Sequence, residues 1–129
     1  MRDKAVLADT TVWIEFFRLR SETGDTVEHL IRENSVYSCG IVLFELMQGV
    51  KSDSEKKIIL DILSDLPYVE MTTSLWQRAG ELSASLKRKG LSLPLSDIFI
   101  ATLAIEHNLQ IFTLDKHFEQ IPGIELYKI

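Results

Sequence analysis

A single cysteine, Cys39, leaves no possibility of an intrachain disulfide, so the fold must be held by its core. No apolar run approaches the ~20 residues that cross a bilayer, which argues against a membrane-spanning protein. The start, Met1 to Asp9, carries a basic residue but no apolar stretch long enough for a signal peptide. A reducing, cytoplasmic setting is therefore expected. Internal repeats, low-complexity segments and linkers are lacking, and 129 residues suit one domain spanning 1–129. Positive charge is also scarce: the formal net charge is −5, which argues against a general nucleic-acid-binding surface. It still allows an enzyme that holds nucleic acid through metal and a few locally placed basic residues. No glycine-rich phosphate loop follows the first apolar segment. His29, His107 and His117 have no metal-ligand spacing among themselves and read as surface residues. Cys39 has no neighbouring base and reads as a small buried hydrophobe.

What is present is a regular alternation of short β-prone runs and helical patterns. Strands are expected at Lys4–Ala8, Ser35–Cys39, Tyr68–Met71, Gln110–Leu114 and Ile124–Tyr127. Between them lie helical stretches. Val12–Arg18 is capped by Thr10 or Thr11, and Asp25–Glu33 follows a break at Gly24. Ile41–Val50 comes next, then a helix from Ser52 or Asp53 to about Asp65. A long helix from Thr73 or Ser74 stops at Gly90, and another from Asp97 to about His107 is capped by Ser96. The pattern implies an α/β fold: a mostly parallel five-stranded sheet, covered on both faces in a three-layer α/β/α arrangement.

In such a fold the C-terminal ends of strands and the N-terminal ends of helices share one edge of the sheet, where ligands bind. Four acids fall on that edge. Asp9 ends the first strand and Asp115 the fourth, Asp97 opens the helix leading into the fourth, and Glu45 lies in the helix after the second. Each has an ordinary alternative: Asp9 and Asp115 as helix caps, Asp97 as a first-turn residue favoured by the helix dipole. Glu45 is harder to explain that way. Ile41, Val42, Leu43, Phe44, Leu46 and Met47 surround it, so its helix reads as buried, and no basic residue lies within a turn. Clustered carboxylates repel, and a hard divalent cation such as magnesium or manganese relieves that repulsion.

The ordered set of segments resembles the PIN domains, and most of all the toxin ribonucleases of VapBC-type toxin–antitoxin pairs. The resemblance rests on Val6-Leu7-Ala8-Asp9-Thr10-Thr11, Ile41 to Gly49 around Glu45, Leu95 to Ala104 around Asp97, and Phe112-Thr113-Leu114-Asp115-Lys116-His117-Phe118. It implies an Mg2+- or Mn2+-dependent endoribonuclease with Asp9, Asp97, Glu45 and Asp115 at the metal site. Thr113, and Thr10 or Thr11, would be polar helpers. It also implies an RNA substrate, a small cognate antitoxin, a homodimer, and DNA contact only through the antitoxin. Trp13, Phe16 and Phe17, with Arg18 and Arg20 beside them, offer an antitoxin dock. Two rival readings are a PIN-like scaffold that binds RNA or protein without cutting, and a phosphoacceptor receiver domain. The second would need paired acids after the first strand, whereas Asp9 is followed by Thr10.

Overall fold

A computed structural model describes residues 4–129. Residues 1–3 lie outside the described residues, and with them part of the unit expected at 1–129 and the first residues of the polar start. Four parallel strands form the sheet: β1 (Val6–Ala8), β2 (Val36–Cys39), β3 (Tyr68–Val69) and β4 (Gln110–Phe112), in the order β3-β2-β1-β4. All three residues of β1 are fully buried, as a central parallel strand covered on both faces requires. Cys39 is buried with them, as expected of a small hydrophobe.

The expected fifth strand is reduced to one bridge, Ile111 to Leu126. The reason lies in the ladder of β4. Gln110 donates to the Ala5 carbonyl and the Phe112 carbonyl accepts from Asp9, so both face β1. In a parallel strand alternate residues face alternate neighbours. A three-residue strand therefore offers its other side only Ile111, whose amide donates to Glu125 O at 2.8 Å and whose carbonyl accepts from Tyr127 at 2.9 Å.

The helices are α1 (Thr10–Arg18), α2 (Glu22–Arg32), α3 (Gly40–Gln48), α4 (Asp53–Leu63), α5 (Thr73–Arg88) and α6 (Leu95–His107), with a 3-10 turn at Lys116–Gln120. Several starts differ from the pattern reading by a few residues, each for a visible reason. Asp9 itself caps α1 through Val12 N, in place of Thr10 or Thr11. Ser21 caps α2 through Gly24 N, so Gly24 lies inside the first turn and breaks nothing. Its missing side chain serves packing instead: a Cβ there would sit 3.4 Å from Glu15 O and Phe16 Cα of α1. Ser52 caps α4 and Thr72 caps α5. At the end of α5, Gly90 takes φ +84 and Leu91 N donates to Leu86 O, a left-handed stop that favours glycine.

The α6 helix begins at Leu95, where the Pro94 carbonyl accepts from the amides of Asp97 and Ile98. Ser96 is thus not its cap, and the Asp97 carboxylate is not used for capping. From Asp97 to Ala104 every residue of α6 is buried. The helix packs against β1, β4 and α5, with Trp76 of α5 edge-on to Phe99 at 4.6 Å. No helix among the described residues is long and apolar enough to cross a membrane.

Candidate metal centre

The sheet order places β1 between β2 and β4, so successive connections leave β1 in opposite directions. Such a reversal opens a crevice at the C-terminal ends of the two diverging strands. Ala8 pairs with Phe112 in register. The next residues, Asp9 and Thr113, therefore emerge side by side at that crevice, and Asp115 follows two residues later. The N-terminal turn of α6 brings in Asp97.

Asp9 is 4% exposed and its carboxylate is held on every side. Oδ1 accepts from Thr11 Oγ1 at 2.5 Å and from Val12 N at 3.3 Å, and Oδ2 accepts from Thr113 Oγ1 at 2.5 Å. Thr11 Oγ1 also accepts from Leu114 N at 3.1 Å, and Thr113 Oγ1 from Asp115 N at 2.9 Å. One hydroxyl network thus ties the end of β1 to the loop after β4. Asp115 Oδ1 in turn accepts from His117 N at 2.9 Å, capping the 3-10 turn.

Asp97 contrasts with Asp9. It is 7% exposed, and its Oδ2 is buried with no hydrogen-bond donor among the described residues. Burial and the negative charge of Asp115 push its pKa up to about 6, against the opposing pull of His117. Burial also raises Asp9, although its hydroxyl and amide donors lower it. Asp115 thus lies close enough to disfavour the charge of Asp97.

Glu45 stands apart from this trio. Thr10 Oγ1 donates to its Oε1 at 2.6 Å, so it joins the crevice through the residue beside Asp9. Its helix is not buried all round, as the run of apolar residues had suggested. Phe44 is 61% exposed and Glu45 half-buried. One face of α3 is apolar without being covered by the described residues.

His117, read from sequence as a surface residue, is indeed exposed, and its imidazole also borders the centre. Its Nδ1 is 3.1 Å from Asp115 Oδ1 and 3.5 Å from Asp97 Oδ2. Ligand atoms of Asp97, Asp115 and His117 all lie within 4.8 Å of one another. The signal available in sequence was the Asp115-Lys116-His117 spacing, which a tight turn converts into a pair. His29 and His107 are elsewhere, on α2 and at the end of α6.

The chain matches the PIN domain over residues 6–124. It belongs to the PIN-domain family. Among curated relatives of this PIN-domain chain, Ribonuclease VapC2 of Rickettsia felis is 34% identical, the match covering 79% of this chain and 80% of that protein. Ribonuclease VapC11 of Mycobacterium tuberculosis is 25% identical over 92% of each chain. Among solved structures, DNA-bound VapBC from Salmonella typhimurium superposes with a TM-score of 0.84 at 26% identity, covering 97% of this chain and 98% of that one. VapBC2 of Rickettsia felis bound to a promoter DNA fragment gives 0.80 at 22% identity and covers 95% and 97%, a likeness of fold. Membership in the PIN family displaces the receiver-domain alternative.

Proposed function

We propose that this PIN-domain chain is a metal-dependent endoribonuclease, the toxin of a toxin–antitoxin pair. The observation that carries the metal site is the bare Oδ2 of Asp97. A buried carboxylate oxygen without a donor is costly, and here the negative charges of Asp115 and, more weakly, Asp9 press on it as well. A set of carboxylate oxygens of this kind fits a hard divalent cation, Mg2+ or Mn2+. Asp9 and Asp97 would hold the ion directly, with Asp115 and Glu45 binding through water, completing a second metal site as ligands there, or positioning the nucleophile.

Bound there, the cation would supply an acidified water and positive charge opposite the phosphodiester. The chain's own residues do the rest. Thr11, Thr113 and the Val12 amide fix the Asp9 carboxylate in one orientation, so little ordering is needed when substrate arrives. Thr10 sets Glu45 at the crevice edge, where its carboxylate can accept a proton. The names of the relatives support RNA as the substrate and an antitoxin as the partner. DNA contact would then come through the antitoxin, consistent with the net charge of −5. A second copy of the chain is the expected cover for the bare apolar face around Phe44.

A metal titration of RNA cleavage tests the reading. Cleavage is expected with Mn2+ or Mg2+, none in chelator, and none for Asp9→Asn in either condition. Asn caps a helix as well as Asp does, so that variant is expected to keep its fold. Undiminished cleavage by folded Asp9→Asn, or in chelator, would refute the proposal. Metal binding without cleavage of any RNA would favour the non-catalytic scaffold.

A further inference from the structure

We propose that His117 is a ligand of the cation at this centre and biases it toward first-row transition ions over magnesium. The inference rests on the metal-site reading above and names a residue and a selectivity that the acidic cluster alone does not supply.

Three observations place the imidazole as a ligand. First, Nδ1 points between two carboxylates, 3.1 Å from Asp115 Oδ1 and 3.5 Å from Asp97 Oδ2. Neighbouring ligand atoms on an octahedral ion bound at ~2.1 Å stand about 3 Å apart, so these spacings suit adjacent corners of one coordination shell. Second, Asp97 Oδ2 is buried, and the nearest donor, His117 Nδ1 at 3.5 Å, is at the limit of a hydrogen bond and satisfies it poorly. A cation between ring and carboxylate answers both. Third, the backbone that carries the ring is held in place, although the side chain itself is 51% exposed. Its backbone amide is bonded to Asp115 Oδ1 at 2.9 Å, and the next residue, Phe118, is fully buried and anchors the turn. His29 shows the contrast: it makes only an exposed i,i+4 contact with Glu33 on its own helix.

The selectivity follows from donor type. Magnesium prefers an all-oxygen octahedron and retains its waters, so an imidazole adds little to its binding. Imidazole nitrogen strengthens binding of first-row ions, increasingly from manganese to cobalt. A competing account makes His117 only a counter-cation for Asp97 and Asp115. The two accounts predict opposite signs. Removing a ligand weakens metal binding, whereas removing a competing positive charge leaves it unchanged or strengthens it.

The test uses the full chain, with Mn2+, Co2+ and Mg2+ as probes, measured by calorimetry and by pulsed electron paramagnetic resonance of the Mn2+ form. His117→Gln is expected to weaken Mn2+ binding on the order of tenfold, and Co2+ binding by more. Mg2+ binding should change by less than about threefold. The wild-type Mn2+ spectrum should carry 14N modulation from a directly bound imidazole, lost in His117→Gln. Equal or tighter Mn2+ binding by folded His117→Gln would overturn the proposal and leave the nuclease reading in place. Absence of 14N modulation in the wild type would overturn it without any variant. A wild type that binds none of the three ions would overturn both this proposal and the metal-dependent reading.

Discussion

The hydroxyl of Thr113 donates to Asp9 Oδ2 at 2.5 Å, joining residues 104 apart in the chain. The bond exists because Ala8 and Phe112 pair in register, so the residues that follow them are neighbours. It also lowers the Asp9 pKa against the upward push of burial. Thr113 is therefore both a strap between β1 and β4 and a counterweight to the effect of burial on Asp9.

Thr113→Val keeps the shape and removes the donor. A buried carboxylate oxygen then loses its partner, which is expected to cost about 1–2 kcal/mol of stability at neutral pH. Asp9 should be harder to ionise, so the metal requirement for cleavage shifts to higher Mn2+ concentration. Chemical denaturation and a metal titration of RNA cleavage check both. Thr113→Ser, which restores the hydroxyl, should recover most of each. Unaltered stability in Thr113→Val would contradict the assignment.

The pH dependence of the metal-free protein follows from Asp97. Its folded pKa is raised to about 6, from an ordinary value of 3.8, mainly by burial. The folded state therefore binds this proton more tightly than the unfolded chain does. The resulting stability is present below the unfolded value and is lost as pH rises through about 6. Asp9, also raised, acts in the same direction. In chelator, Asp97→Asn should melt near the wild type at pH about 4 and a few degrees above it at pH about 7.5. Comparing the two proteins cancels groups such as Glu55, which the Arg18 guanidinium shifts the other way. Manganese should raise the wild-type melting temperature at neutral pH and leave Asp97→Asn nearly unchanged. Parallel melting curves across this range would refute the assignment.

The alternation of strands and helices, and the shared edge of Asp9, Asp97 and Asp115, were legible because each follows from local pattern and chain direction. What escaped the pattern depended on contacts. Glu45 looked buried because α3 is apolar nearly all round, yet an apolar helix face can also be one that nothing in the same chain covers. His117 is the surface residue that its sequence suggested, but its closeness to Asp97 and Asp115 depends on a 3-10 turn and on a helix 20 residues earlier in sequence. Trp13, Phe16 and Phe17 form a mutual cluster with ring centroids 5.1 to 5.8 Å apart, but spacing alone could not say which was core. Trp13 proves fully buried, while Phe16 and Phe17 are half-buried against the core.

The bare face of α3 and α5 leads to a test of assembly. Phe44, Tyr68, Trp76 and Leu95 are 61%, 44%, 54% and 66% exposed. Gly40, Ile41, Phe44, Tyr68 and Trp76 line a groove of about 360 Å3, and Trp76 and Leu95 also line a neighbouring one of about 330 Å3. Apolar exposure of this continuity marks an interface, and a second copy of the chain covers it symmetrically in the homodimer proposed here. Trp76→Glu should shift the sedimentation coefficient from dimer to monomer at micromolar concentration, with little loss of melting temperature. A wild type that sediments as a monomer at high concentration would exclude the homodimer.

The antitoxin surface needs redrawing for the same reason that Trp13 is core. With Trp13 buried, it cannot itself be the anchor for a partner. What α1 and its following turn expose is Ile14, at 38%, and Leu19, at 56%, with Arg20 beside them. On α4, Ile58 and Leu60 are 55% and 37% exposed. Arg18 links the two helices, donating to Gly49 O at 2.9 Å and pairing with Glu55 Oε1 at 2.7 Å. The expected occupant is the apolar tail of a small protein encoded beside this chain, because an unrestrained ribonuclease would harm its own cell. Co-expression with that neighbour should yield a complex that protects growth and cellular RNA. Leu19→Glu together with Ile58→Glu places charge on both exposed positions and should abolish co-purification, while metal-dependent cleavage by the free protein persists. If the double variant still co-purifies, the partner docks elsewhere. If no small neighbour binds the wild type, and expression of the chain alone leaves growth and RNA intact, the toxin assignment fails while the metal centre stands on its own measurements.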